Sequence, residues 1–373
     1  MIAHVLGGAE IRDSKLECNV FTNSLEFATL ELYKACNEVY RCFTSNEKQQ
    51  LQVLHTQLDQ CLKLQTTYSN LSTAKVSQQT EQTLVSEAKK LHALTESLKA
   101  GESFLIPGGW PGTKKDQTPI AGHAMLYKIE KKSNGKFSFT LYNSGLGLQD
   151  YHRKQDEKYA CSMQHSNIDK NTLNQSFFKD LVQLRVAANW KNRSQLSKEL
   201  PPSPKTLYKQ ILEPLSTHKV TISPDEVIRA PQQAQTCTWQ CITLWEEHSL
   251  KRDTFELLSL CTKMHTAKRW KRQASDGEKI TKEIAGKMLE RLNQEKQNFP
   301  QATKRLYQYH GKKSARTTPE KDDGRLAQQA KKHIPRTSTL QAKKSEDQRI
   351  NKRTGPVRSY KDLSTDEIRN LFY

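Results

Sequence analysis

The chain has 373 residues, room for one large domain or two moderate ones, and a formal net charge of +19 from 59 Lys+Arg against 40 Asp+Glu. Its eight cysteines stand at positions 18, 36, 42, 61, 161, 237, 241 and 261 with no C-x-x-C pair, which excludes the usual structural zinc spacings and suits a reducing, cytoplasmic setting. No apolar run approaches the length of a membrane span, and Met1 to Glu10 does not read as a signal peptide.

Three amphipathic stretches fill the first hundred residues. Leu25, Ala28, Leu32, Cys36, Val39 and Phe43 recur at three- and four-residue steps. Leu51, Leu54, Leu58 and Cys61 repeat the pattern, as do Leu84, Ala88, Leu91, Thr95 and Leu98, with Gly101 at a helix stop. Residues 1–100 are therefore expected to form a helical hairpin or small bundle.

The pattern then changes period. Phe104-Leu105-Ile106 reads as a short strand broken by the turn-formers Pro107-Gly108-Gly109-Trp110-Pro111-Gly112. His123 to Glu130 alternates as a strand, Asn134-Gly135 signals a two-residue type I′ hairpin, and Lys136 to Asn143 alternates as the return strand. Antiparallel pairing around that turn predicts that His123 and Asn143 lie side by side. Leu173, Phe177, Leu181 and Leu184 predict a helix, Pro201-Pro202-Ser203-Pro204 a rigid break, and Ser223-Pro224-Asp225-Glu226 a helix start.

Cys237 opens the next helix, with Cys241, Leu244 and His248 along its face and Thr236 as its N-cap. A thiol at a helix N-terminus feels unpaired N–H groups and the positive end of the dipole, both of which favour the thiolate. Phe255, Leu258 and Cys261, then Ile280, Ile284, Met288 and Leu292, predict further helices. Beyond about Pro300 the apolar period is lost. Residues 300–373 hold 18 Lys+Arg against 8 Asp+Glu, so a basic, mostly disordered tail is expected from residue 299, with an anionic surface (membrane or nucleic acid) as its partner. A short amphipathic piece from Ser364 to Tyr373 closes the chain.

A thiol, an imidazole and side-chain amides are the parts of a cysteine hydrolase. In that reading Cys237 is the nucleophile and His123 the base. Asn143 orients His123, with Asp150 or Asp116 as alternatives, and the Gln232 amide joins the Cys237 backbone N–H at the oxyanion. Trp110 and Trp239 are the candidate substrate contacts. Nothing calls for a metal or cofactor: Gly108-Gly109 lacks the Lys-Ser/Thr of a phosphate loop, and Gly145-x-Gly147 lacks the third glycine of a dinucleotide site.

Gly122-His123-Ala124-Met125-Leu126-Tyr127, a hairpin and Tyr142-Asn143-Ser144 resemble the histidine box of ubiquitin-specific proteases. Gln232-Gln233-Ala234-Gln235-Thr236-Cys237 resembles their cysteine box. The order His, Asn, Gln, Cys is instead that of adenain, the SUMO proteases and the acetyltransferase effectors of that clan. The whole resembles cysteine-protease-like effectors of intracellular bacteria. The resemblance covers at most Glu102 to Leu250. It implies an α+β fold with a papain-like cysteine hydrolase core at 101–298, in either a permuted or an adenain-type arrangement. It also implies a protein substrate of the ubiquitin or ubiquitin-like class and export without a cleaved signal into a host cytoplasm. The same Cys–His apparatus could carry acyl transfer, and a chain that had lost the chemistry would be a basic binding effector.

Overall fold

The structure is a computed structural model that describes residues 25, 42–73, 78–113, 119–186, 203–216, 220–221, 227–231, 237–273, 286, 289–290, 292–294 and 296–314. It is a mixed α+β fold whose sheets are antiparallel throughout. Two long helices lead, α1 (Ser45–Thr73) and α2 (Gln78–Ser97). Thr44 and Glu47 close the start of α1 as a reciprocal cap: the Glu47 carboxylate accepts from Thr44 N at 2.7 Å, and Glu47 N donates back to Thr44 Oγ1 at 3.3 Å. The second and third amphipathic stretches thus become helices. Of the first, only Leu25, Cys42 and Phe43 are among the described residues.

A five-stranded sheet follows, in the order β1 (Ser103–Thr113), β2 (Pro119–Lys131), β3 (Phe137–Tyr142), β6 (Ser162–Ile168) and β7 (Val220–Thr221). A small sheet of β4 (Lys154–Gln155), β5 (Lys158–Ala160) and β8 (Ile228–Arg229) lies beside it. On one face Met125, Tyr127, Ile129, Phe104 and Ile106 pack with α2 and with α3 (Gln175–Val186), through Leu84, Leu91, Phe178 and Leu181. On the other, Leu105, Ala124, Leu126 and Tyr142 pack against α4 (Cys237–Ser249), through Cys241, Leu244 and Trp245. The sheet is sandwiched between helices. Every β3 side chain is buried, as a central strand covered on both faces requires.

Two local expectations are corrected. The Pro-Gly-Gly-Trp-Pro-Gly segment is no loop: β1 runs through it, paired with β2 from Ser103↔Glu130 to Thr113↔Pro119 with a bulge between Trp110 and Gly112. An edge strand tolerates proline because its outward N–H has no ladder partner to lose. The hairpin turn is also not type I′. Gly135 N donates to Lys132 O at 3.0 Å and Lys132 N to Lys136 O at 2.8 Å, while Gly135 takes φ +79° and Asn134 stays at negative φ. That is a three-residue turn with glycine in the left-handed position.

The one-residue difference matters at the far end of the hairpin. The observed register pairs Leu126 with Tyr142, and carried one step further it sets Asn143 opposite Met125. Asn143 then shares a face with His123, its diagonal neighbour. The shorter turn would have set Asn143 opposite Leu126 and on the other face.

Downstream of α4 come α5 (Arg252–Gln273) and α6 (Pro300–Ser314). The second lies in the segment expected to be tail. It buries Ala302 and Leu306 at four-residue spacing in the core shared with α1 and α5. Arg305 grips Glu47 through paired contacts of 2.6 and 3.0 Å and donates to Cys42 O at 2.6 Å, while Thr254 Oγ1 donates to Glu47 at 2.7 Å. Two apolar residues and one bidentate arginine seat a helix that composition alone reads as solvated. Residues 315–373, with the expected closing amphipathic piece, lie outside the described residues, as do 222–226 and most of 274–295.

Candidate active site

Cys237 is the first residue of α4, as its sequence context predicts, and is partly exposed. The helix brings it to the start of β2, where the His123 side chain acts on its thiol. The backbone N–H groups of Ala124 and Thr238 also favour its thiolate. Burial pushes the thiol up, but the His123 hydrogen bond and charge and the two N–H groups outweigh it, and the thiol sits below the usual cysteine range. One turn along, Cys241 is the opposite case. It is fully buried, with its Sγ 3.3 Å from Tyr142 O and 3.7 Å from Ala124 O, and burial holds it well above the ordinary thiol range. Cys61 is likewise pushed up by burial, and Cys42 is raised.

His123 is buried at 3% exposure and its Nε2 lies 2.7 Å from Asn143 Oδ1. The direction of that bond follows from its surroundings. Asn143 Nδ2 donates to the Leu146 carbonyl at 2.9 Å, and Gly145 N donates to Oδ1 at 2.9 Å. A carbonyl can only accept and a backbone N–H can only donate, so the amide has one orientation. Oδ1 therefore faces His123, Nε2 carries the proton, and Nδ1 is left for the sulfur. A neutral imidazole in that tautomer can take the thiol proton.

Trp110 is paired with His123 across β1 and β2, and their ring centroids lie 5.3 Å apart. Gly108 and Gly109 permit this approach. A Cβ on Gly108 would lie 2.2 Å from the Tyr127 ring, and one on Gly109, at φ +98°, would lie 1.9 Å from His123 O. Gly109 N donates to Tyr127 Oη at 3.0 Å, which fixes the pressed strands. At 4% exposure Trp110 forms a wall against the imidazole. Trp239, half-buried on α4, packs against the core on the helix side.

Asp150 is exposed on the helical turn Leu148–Tyr151, and the His123 ring takes Asn143 instead. Asp116, Gln232 and Thr236 lie outside the described residues. Tyr208 and His152, which sequence reading did not single out, complete the polar surroundings of Asn143: its Nδ2 donates to Tyr208 Oη at 3.0 Å, and His152 Nε2 lies 2.7 Å from that hydroxyl. Tyr208 stands 65 residues from Asn143 along the chain, and neither it nor His152 forms a recognisable spacing with Asn143.

No protein-family model matches the chain, and a search of curated proteins also finds no match. No helix among the described residues is long and apolar enough to cross a membrane.

Proposed function

We propose that this chain is a thiol-dependent hydrolase of peptide or isopeptide bonds, with a papain-like arrangement of Cys237, His123 and Asn143. The observation that carries the reading is a partly exposed helix-N-terminal thiol held below its ordinary pKa by a histidine whose tautomer is fixed by an asparagine. A structural cysteine would more usually resemble Cys241, buried and pushed up.

The thiolate of Cys237 attacks the scissile carbonyl and forms a C–S bond. The Nδ1 proton of the imidazolium passes to the leaving nitrogen as the C–N bond breaks, leaving a thioester. A water then loses a proton to Nδ1 as it attacks, and the C–S bond breaks to release the acid and restore the thiolate. Throughout, Asn143 Oδ1 stabilises the imidazolium by accepting from Nε2. The Cys237 backbone N–H and the Gln232 amide are the proposed donors to the developing oxyanion.

Ubiquitin or ubiquitin-like conjugates are the proposed substrates, on the strength of the sequence boxes around His123 and Cys237. The positive excess beyond Pro300 is the proposed contact with an anionic surface. A panel of ubiquitin and ubiquitin-like proteins carrying a C-terminal electrophile tests the substrate class. The expected result is one covalent adduct on Cys237 with one member of the panel, lost in Cys237→Ser. Absence of any adduct across the panel, with Cys237 reactive toward a small electrophile, would remove the ubiquitin-like assignment and leave the thiol chemistry.

A further inference from the structure

We propose that Tyr208 and His152 are positioning residues of this site, forming with Asn143 a one-way hydrogen-bond relay that fixes the His123 tautomer and requires an amide, not a carboxylate, at position 143. The proposal rests on the cysteine-hydrolase reading for its catalytic meaning, but the relay itself is a property of the buried network.

The direction can be assigned atom by atom. His152 Nδ1 lies 2.8 Å from Ala160 O, so Nδ1 carries a proton and donates. Burial, partly opposed by that carbonyl, lowers the imidazole to about 4, so the ring is neutral near pH 7 and Nε2 is an acceptor. Tyr208 O–H must then donate to His152 Nε2 at 2.7 Å, which leaves its oxygen to accept from Asn143 Nδ2 at 3.0 Å. Asn143 Nδ2 also donates to Leu146 O, and Oδ1 accepts from Gly145 N and from His123 Nε2. Each link agrees with its neighbours, and the sequence of donors ends at the ring that serves Cys237.

The relay is built rather than incidental. Tyr208, His152, Asn143 and His123 are all buried. The Tyr208 ring stacks on Tyr151 at 4.4 Å and 7° and meets His152 edge-on at 5.5 Å. Tyr208 lies on the π-helical turn Leu207–Ile211 that follows Pro204–Thr206, where Ser203 Oγ accepts from Thr206 N as the N-cap. Gly147, at φ +89°, closes the Asn143 loop against it; a Cβ there would lie 3.0 Å from Tyr208 Cε2. The other titratable groups felt by Tyr208 are Tyr127, Tyr151 and Cys241, and burial keeps its own hydroxyl well above the ordinary range, so the relay is uncharged.

An aspartate at 143 would break the sequence of donors. Its second oxygen would face the Leu146 carbonyl and the Tyr208 lone pairs, with no proton between them. Relief requires Tyr208 to turn its O–H toward position 143, and His152 must then supply a proton to the Tyr208 oxygen. The structure therefore couples the charge at 143 to the protonation of His152 through a single hydroxyl.

The test follows the His152 imidazole by NMR titration in the full chain and, in parallel, the alkylation rate of Cys237 by iodoacetamide. In Asn143→Asp the His152 titration should move up by at least about one pH unit, and the Asn143→Asp/Tyr208→Phe double variant should abolish that rise. Tyr208→Phe alone should slow Cys237 alkylation at pH 7 by about five- to tenfold while keeping a cooperative thermal transition, because the stacked ring remains. A His152 titration unmoved by Asn143→Asp, or moved equally in the double variant, would overturn the relay. The titration reads the relay whether or not Cys237 proves reactive, so its failure and that of the hydrolase reading are separable.

Discussion

His123→Ala should lower turnover by ~10²–10⁴-fold and at the same time return the Cys237 thiol toward the ordinary cysteine range. The imidazole does two jobs at once: it manages the proton, and its hydrogen bond and charge are the leading causes holding the thiol down against burial. Asn143→Ala should cost less, about ten- to a hundredfold, since it removes orientation and leaves the base. Asp150→Ala should be silent, because that side chain is exposed on the turn Leu148–Tyr151 while the ring bonds Asn143. Steady-state kinetics on whichever probe substrate labels Cys237 measures all three. Loss of activity in Asp150→Ala with Asn143→Ala unaffected would reassign the third member.

Removing residues 300–373 should destabilise the fold by about 3–6 kcal/mol, comparable to a large core truncation. The cut takes away Ala302 and Leu306 from the core and Arg305 from Glu47. Burial alone would raise the Glu47 carboxyl, but Arg305, the Thr44 N–H and the Thr254 hydroxyl draw it down to about 2. A depressed carboxylate contributes stability above its unfolded pKa and loses it as the pH falls through the folded value, so this contribution is present above about pH 4.5 and fades toward pH 2. Arg305→Ala in the full chain should flatten that acid limb and cost about 1–3 kcal/mol at neutral pH. Calorimetry of the full chain, the truncation and Arg305→Ala measures both. An unchanged transition after truncation would mean that the Pro300–Ser314 helix is not part of the fold.

What could be read from the sequence was local. A histidine opening an alternating strand, an asparagine closing its return strand and a Thr-Cys helix start each carry their signal within a few residues, and the structure brings His123 to both of the others. Features set by tertiary context were not legible. Asn-Gly suits a two-residue turn, yet strand pairing selects a three-residue one, and that single step decides whether Asn143 faces His123. Pro107 to Gly112 looks like a loop until an edge position relieves proline of its missing donor and the glycines admit Tyr127 and the His123 carbonyl. Tyr208 and His152 carry no pattern at all, because only the fold places them beside Asn143. The α6 helix was missed because Ala302 and Leu306 do not make a sustained stripe.

The pH dependence of Cys237 alkylation by iodoacetamide, read by mass spectrometry on the full chain, tests the central claim most directly. The rate should reach half its plateau at a pH below the ~8.5 of a free thiol, with Cys237 modified ahead of Cys42, Cys61 and Cys241. In His123→Ala the midpoint should move up to or beyond the free-thiol value. A midpoint at about 8.5 or higher in the unaltered chain, indifferent to His123, would contradict a thiolate–imidazolium pair at this site.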